Sequence, residues 1–81
     1  MKKVFEVEVS IVWAGKDGFT EKKSYTVLAN KAEEALTKAK KKGFSEAYYW
    51  NDDEDGNKKK YMGVKDVLIE KVEMTATIDV A

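Results

Sequence analysis

The sequence predicts an α+β fold, a small antiparallel sheet of four to five strands with one helix packed on one face. The element order is β-β-α-β-β, with room for a further strand. Three observations predict it. Apolar residues alternate near the start of the chain, they recur every three to four residues in the middle, and they alternate again at the end. At 81 residues the chain has the length of a single domain covering 1–81.

The first strand is the clearest element. Phe5, Val7, Val9, Ile11 and Trp13 occupy alternate positions, with Glu6, Glu8, Ser10 and Val12 between them. A period of two places the five large apolar side chains on one face of a sheet. Gly15-Lys16-Asp17-Gly18 interrupts the run, since glycine accepts the backbone angles of tight turns. A second strand follows from about Thr20 to Leu28, with a polar start and Tyr25, Val27 and Leu28 as its apolar part. The short glycine-flanked link makes the pair an antiparallel hairpin.

The period then changes. Ala32, Ala35, Leu36 and Ala39 form one helical stripe. Asn30 has the chemistry of an N-cap, and Glu33 stands three residues on, as in a capping box. Acids open the helix and Lys40, Lys41 and Lys42 close it, which complements the helix dipole. Glu34 and Lys38 have the favourable i, i+4 order. Gly43 is expected at the left-handed C′ position, with Phe44 folding back on Ala39. A stripe made mostly of alanine lets a helix lie close to a sheet whose side chains supply the bulk.

Ala47-Tyr48-Tyr49-Trp50 is short and strand-like, Asn51 to Asn57 is a turn with Asp55-Gly56 at its tightest point, and Lys58 to Met62 returns as the partner strand. Gly63 marks a bend or bulge. Val64 to Ile69 fits one turn of helix by spacing and extended chain by its β-branched content, so both remain open. Val72, Met74, Ala76, Ile78 and Val80 alternate with Glu73, Thr75, Thr77 and Asp79, predicting a long half-buried last strand.

From Tyr25 onward the spacing of several residues forms a recognisable set. Ala29, Glu33-Glu34-Ala35, Ala39, Gly43, Glu46, Tyr49, Asn51, Gly56, Tyr61 and Gly63-Val64-Lys65-Asp66-Val67 follow one another in order. This resembles a family of small bacterial and phage-associated domains of unknown function, over about residues 25–69. The matching motifs are turn and cap residues. The acidic stretch Asp52 to Asp55 before Gly56 is longer here than in the family. The resemblance implies the same element order and a prokaryotic or phage origin. It brings no activity with it.

Composition removes several chemistries. The chain has no Cys, so a disulfide framework and thiolate metal sites are out. It has no His, the commonest general base and metal ligand. Serine catalysis would need a Lys base, and Ser10, Ser24 and Ser45 sit in no nucleophile motif. No glycine-rich phosphate loop is present, and so small a domain offers no cleft for paired carboxylates. We expect no enzyme and no cofactor. Asn51, Asp53, Asp55 and Gly56 match four positions of a calcium loop, but the ligand position at its end is Met62, so we read a solvated turn and no metal site. No stretch has the length of a membrane-spanning helix, and the start of the chain alternates where a signal peptide would be continuously apolar. A cytoplasmic location and no membrane partner are therefore expected.

The expected function is a non-catalytic protein-interaction module, a small bacterial or phage accessory or inhibitor protein that binds and modulates another protein. One helix covers one face of a sheet, so at least one of the neighbouring rings Tyr48, Tyr49 and Trp50 lies on the uncovered side. Trp and Tyr are favoured at interface centres. The expected contact surface is Tyr48, Trp50 and Tyr61 with the acids Asp52, Asp53 and Asp55. The alternative is single-strand nucleic-acid binding through Lys38, Lys40, Lys41 and Lys42 at the helix end and Lys58, Lys59 and Lys60 in the hairpin. The 15 basic residues, all Lys, balance 15 acids, and Arg is missing, which weighs against that alternative. A structural homo-oligomer, formed as a homodimer through the C-terminal strand, is the third reading.

Overall fold

A computed structural model gives the fold. It describes residues 2–15, 18–51 and 59–78, with the side chains of residues 49–51, 59 and 60 outside that description. The order is β1 (Lys2–Trp13), β2 (Thr20–Ala29), α1 (Ala32–Phe44), β3 (Tyr48–Asn51), β4 (Lys59–Met62) and β5 (Val64–Ile78). The class is α+β, with one helix, as predicted. The strands, however, divide between two sheets. The sheet beneath the helix has three antiparallel strands in the order β2-β1-β5, and β3 and β4 pair as a separate ribbon. The expected single sheet of four to five strands is corrected accordingly.

β1 is the central strand because it has apolar residues at every second position and partners on both edges. Phe5, Val7, Val9, Ile11 and Trp13 are all buried on the helix side. Opposite them stand Val27 and Tyr25 of β2, and Val64, Val67, Ile69, Val72 and Met74 of β5. Directly opposed residues share a face, so the registers define one helix-side face, apolar along β1 and turning polar at Lys23 and Glu21 on the β2 edge. Ala35, Ala39 and Gly43 of α1 are the buried helix positions. The small residues let the helix sit close to the sheet, as the sequence implied.

The other face carries no helix and mixes polar side chains with Val4, Val12, Leu28 and Leu68. Thr26 Oγ1 donates to Glu6 Oε1 across β2 and β1. Ser10 Oγ donates to Glu70 Oε1 at 2.8 Å across β1 and β5. Lys71 and Glu73 approach within 3.7 Å on β5.

The ambiguous segment Val64–Ile69 is strand, continuous with the last segment, and Gly63 precedes it outside both neighbouring strands. The predicted half-burial of that last segment is not found. Val72, Met74 and Ile78 are exposed, and so is every other residue from Glu70 to Ile78. Length explains this. The 15 residues of β5 reach about 50 Å at 3.3 Å each, close to the 52 Å long axis of the molecule. The 13 residues of α1 reach only about 20 Å. The strand outruns its cover.

Both predicted helix ends are also corrected. Lys31 is the N-cap residue, and it makes no side-chain capping bond. Instead Glu34, one position later than expected, accepts the Asn30 backbone N–H at 3.1 Å. At the other end Gly43 lies inside the helix and is buried. A Cβ on Gly43 would stand 2.8 and 2.9 Å from the two Cγ atoms of Val67, so close approach explains this glycine. The helix closes on Ser45, whose backbone N–H donates to the Lys41 and Lys42 carbonyls and whose hydroxyl donates to Lys42 O at 2.7 Å. With those carbonyls satisfied no left-handed residue is needed. Phe44 is half exposed rather than folded into the core.

Candidate interaction surfaces

The β3–β4 ribbon joins the sheet at the end where β1 finishes. Ala14 N–H donates to Gly63 O at 3.0 Å. The β1–β2 turn lies against the same point, because a Cβ on Gly15 would be 3.2 Å from Met62 Sδ. Gly18 is required by the turn itself, since a Cβ there would come within 2.6 Å of Trp13 O. Three rings meet at this end. The centroids of Trp13 and Tyr48 are 5.9 Å apart, those of Phe19 and Tyr48 5.6 Å, and both pairs meet edge to face. Trp13 is buried, while Phe19 is 41% and Tyr48 40% exposed. The Trp13 indole N–H has no acceptor among the described residues.

Tyr48 therefore has two roles, closing over Trp13 and presenting part of its ring to solvent. Tyr61 is the most exposed ring among the described residues, at 68%. The register sets Tyr48 opposite Met62 and Tyr61 opposite Tyr49. Tyr61 thus lies on the other face of the ribbon from Tyr48. Asp52, Asp53 and Asp55, the proposed acidic part, and the calcium-loop positions Asp53, Asp55 and Gly56 lie outside the described residues, as does the side chain of Trp50. Among the described residues no three carboxylates converge on a metal-sized site.

Among the described residues, three of the proposed lysines share one groove. Lys38, Lys41 and Lys42 line a groove of about 590 Å³ between α1 and β2, and Lys40 does not. Lys58 and the side chains of Lys59 and Lys60 lie outside the described residues. Val27, Thr26 and Leu28 form the β2 side of the groove, and Ser45 also lines it. Lys38 Nζ donates to the Leu28 carbonyl at 2.6 Å and pairs with Glu34 at 3.2 Å. Neither Lys41 nor Lys42 has a carboxylate partner among the described residues.

A polar cluster that sequence reading missed ties the segment after α1 to β2. Tyr25 Oη donates to Glu46 Oε1 at 2.9 Å, and Lys23 Nζ reaches Glu46 Oε2 at 3.2 Å. Burial, then the hydrogen bond to Glu46, pushes the Tyr25 hydroxyl up to about 12. The Tyr25 hydrogen bond, helped by Lys23, holds the Glu46 carboxyl below its ordinary value. The only sequence signal was the alternation that puts Lys23 and Tyr25 on the helix face.

No helix among the described residues is long and apolar enough to cross a membrane. Comparison with protein-family models, with curated proteins and with solved structures gave no match.

Proposed function

We propose that this chain is a non-catalytic module that binds and modulates another protein, in the manner of a small bacterial or phage accessory or inhibitor protein. The observation that carries this reading is the aromatic end. Phe19 and Tyr48 are partly exposed around a buried Trp13, and Tyr61 is exposed on the opposite face of the same ribbon. Rings held by their neighbours lose little side-chain entropy on binding, which suits an interface centre. Because the rings occupy both faces, the partner grips the ribbon rather than resting on one side of it. Trp50 and the acids Asp52, Asp53 and Asp55 belong to the same proposed contact. The lack of His and Cys supports the non-catalytic part.

The partner is found by capture from bacterial lysate with and without nuclease. Replacing Tyr48, Trp50 or Tyr61 by Ala then weakens binding by about 2 kcal/mol or more, with the fold retained in the amide spectrum. Variants that unfold the domain would make these rings core and sink the assignment.

Single-strand nucleic-acid binding is the second reading, supported by Lys38, Lys41 and Lys42 lining one groove. It requires affinity that falls steeply as salt is added. Homodimerisation through β5 is less favoured. Register shifts at three places interrupt the pairing of β5 with β1, and such bulges disturb the regular edge that strand pairing uses.

A further inference from the structure

The two outer edges of the three-stranded sheet differ, and the β2 edge is the regular one. β2 pairs with β1 through ten consecutive positions, from Lys3↔Ala29 to Val12↔Thr20, with no shift. In an antiparallel ladder alternate residues direct both backbone groups toward the partner strand, and the intervening ones direct both away. Trp13 N–H bonds inward to Phe19 O. Leu28 O is met from outside by Lys38, and Asn30 N–H by Glu34. The even-numbered residues of β2 therefore present their N–H and C=O groups outward. Beyond Leu28 the helix caps this edge. From Thr20 to Thr26 the helix supplies no such cap among the described residues.

The groove lies where the capped and uncapped parts meet. Buried Val27 forms an apolar floor, Thr26 and Leu28 the strand rim, and Lys38, Lys41 and Lys42 the opposite rim. A guest on this edge needs a backbone able to extend the sheet, which a peptide has. It needs negative charge on alternate residues, because alternate side chains of an added strand fall on the helix side, where the lysines are. We propose that β2 and the C-terminal half of α1 form a docking site for an extended acidic peptide, which adds to the sheet as a fourth strand and places alternate carboxylates against Lys41, Lys42 and Lys38. On binding, Lys38 exchanges the Leu28 carbonyl for a carboxylate of the guest. Single-stranded nucleic acid fits less well. Among the described residues no aromatic ring lines the groove, so bases find no stacking platform there. This site is separate from the aromatic end.

The test uses the intact chain labelled with nitrogen-15 and three probes: a seven-residue peptide of alternating Glu and Val, its Lys-for-Glu counterpart, and an oligothymidylate. The Glu peptide is expected to shift the amides of Ser24, Thr26 and Leu28 and to slow their exchange with solvent, while the Lys peptide does neither. Lys41→Glu with Lys42→Glu should lower affinity for the Glu peptide at least tenfold. Thr26→Pro removes one outward donor and leaves the inner ladder intact, so it should weaken binding similarly. Should that proline variant unfold, the exposed lysine pair still decides the matter. Tyr48→Ala and Tyr61→Ala should leave this binding unchanged, which separates it from the aromatic contact. Equal binding of both peptides, shifts confined to β5 or the ribbon, or no response to the Glu peptide would overturn the proposal. Binding of the oligothymidylate alone would also overturn it, in favour of nucleic acid.

Discussion

The helix is attached to the two edge strands by different physics. On the β5 side the attachment is steric. Gly43 meets Val67, a fully buried and stiff side chain, at a distance that leaves no space for a methyl group. On the β2 side Val27 and Ala29 join the core, and polar ties are added around them. Lys38 reaches Leu28 O, Glu34 reaches Asn30 N–H, and Glu46 holds Tyr25 and Lys23. Close packing tolerates no change of shape and is indifferent to pH. Polar ties in partial contact with water are individually weak, respond to pH and can be exchanged for a guest. The β5 side thus holds the helix by shape, while the β2 side adds ties that a guest can exchange.

The largest effect on the β5 side is expected from Gly43→Ala. At an exposed helix position the change would stabilise by about 1 kcal/mol through helix propensity. Here overpacking should outweigh that gain and leave a net loss of about 1–2 kcal/mol, read from the denaturant midpoint. Combining it with Val67→Ala should be less harmful than the sum of the two single changes, with a coupling of at least about 0.5 kcal/mol. A stabilised Gly43→Ala protein would show that the β5 side is not close-packed.

These attachments also mark how much of the molecule could be read from sequence. Local periodicity was enough for β1 and α1, because each carries its own pattern of burial. Pairing was not local. Nothing in Tyr48–Asn51 says that it joins Lys59–Met62 alone rather than the main sheet. The alternation in Val72–Ile78 is real, but burial depends on whether the helix extends far enough to cover it. Gly43 was noticed for the wrong reason, since a helix-ending glycine and a closely packed one look alike until Val67 is placed opposite. At the aromatic end, strand alternation implies that at least one of Tyr48, Tyr49 and Trp50 faces away from the helix, without saying which. The separation of Tyr48 from Tyr61 follows only from the register Tyr49↔Tyr61. The groove was half legible, as a run of lysines without the strand edge beside them.

A smaller effect, and one confined to the β2 side, is the pH response of Tyr25 and Glu46. The Glu46 carboxyl is lowered in the folded state by the Tyr25 hydroxyl and Lys23, so its contribution is present above the ordinary carboxyl value of 4.5 and is lost as pH falls through the lowered one. The Tyr25 hydroxyl is raised by burial and by Glu46, so its contribution is full below 10 and is lost as pH rises toward about 12. Tyr25→Phe removes the hydrogen bond and should lower stability by about 1 kcal/mol on the plateau. The difference in thermal midpoint between the two proteins should be flat between about pH 5 and 10 and narrow on both sides. No difference at any pH would mean that the Tyr25 ring, and not its hydroxyl, holds the edge.

The smallest effect tests whether the helix caps the β2 edge. Glu34 is at the surface, and its carboxyl is lowered first by the Asn30 N–H and then by Lys38. Glu34→Ala should leave global stability almost unchanged, because a helix-surface carboxylate is well solvated. The Asn30 amide, however, loses its acceptor and should exchange with solvent about tenfold faster, by local opening rather than unfolding. Glu34→Gln keeps an acceptor oxygen at the same reach and should restore most of the protection. Amides of β1 that bond inward to β2, such as that of Trp13, should not respond to either change. If Trp13 exchanges faster together with Asn30, the edge is not capped by a separate polar tie but frays with the strand as a whole. The steric and polar sides would then be parts of one cooperative unit, and the β2 edge would open to a guest only when the domain unfolds.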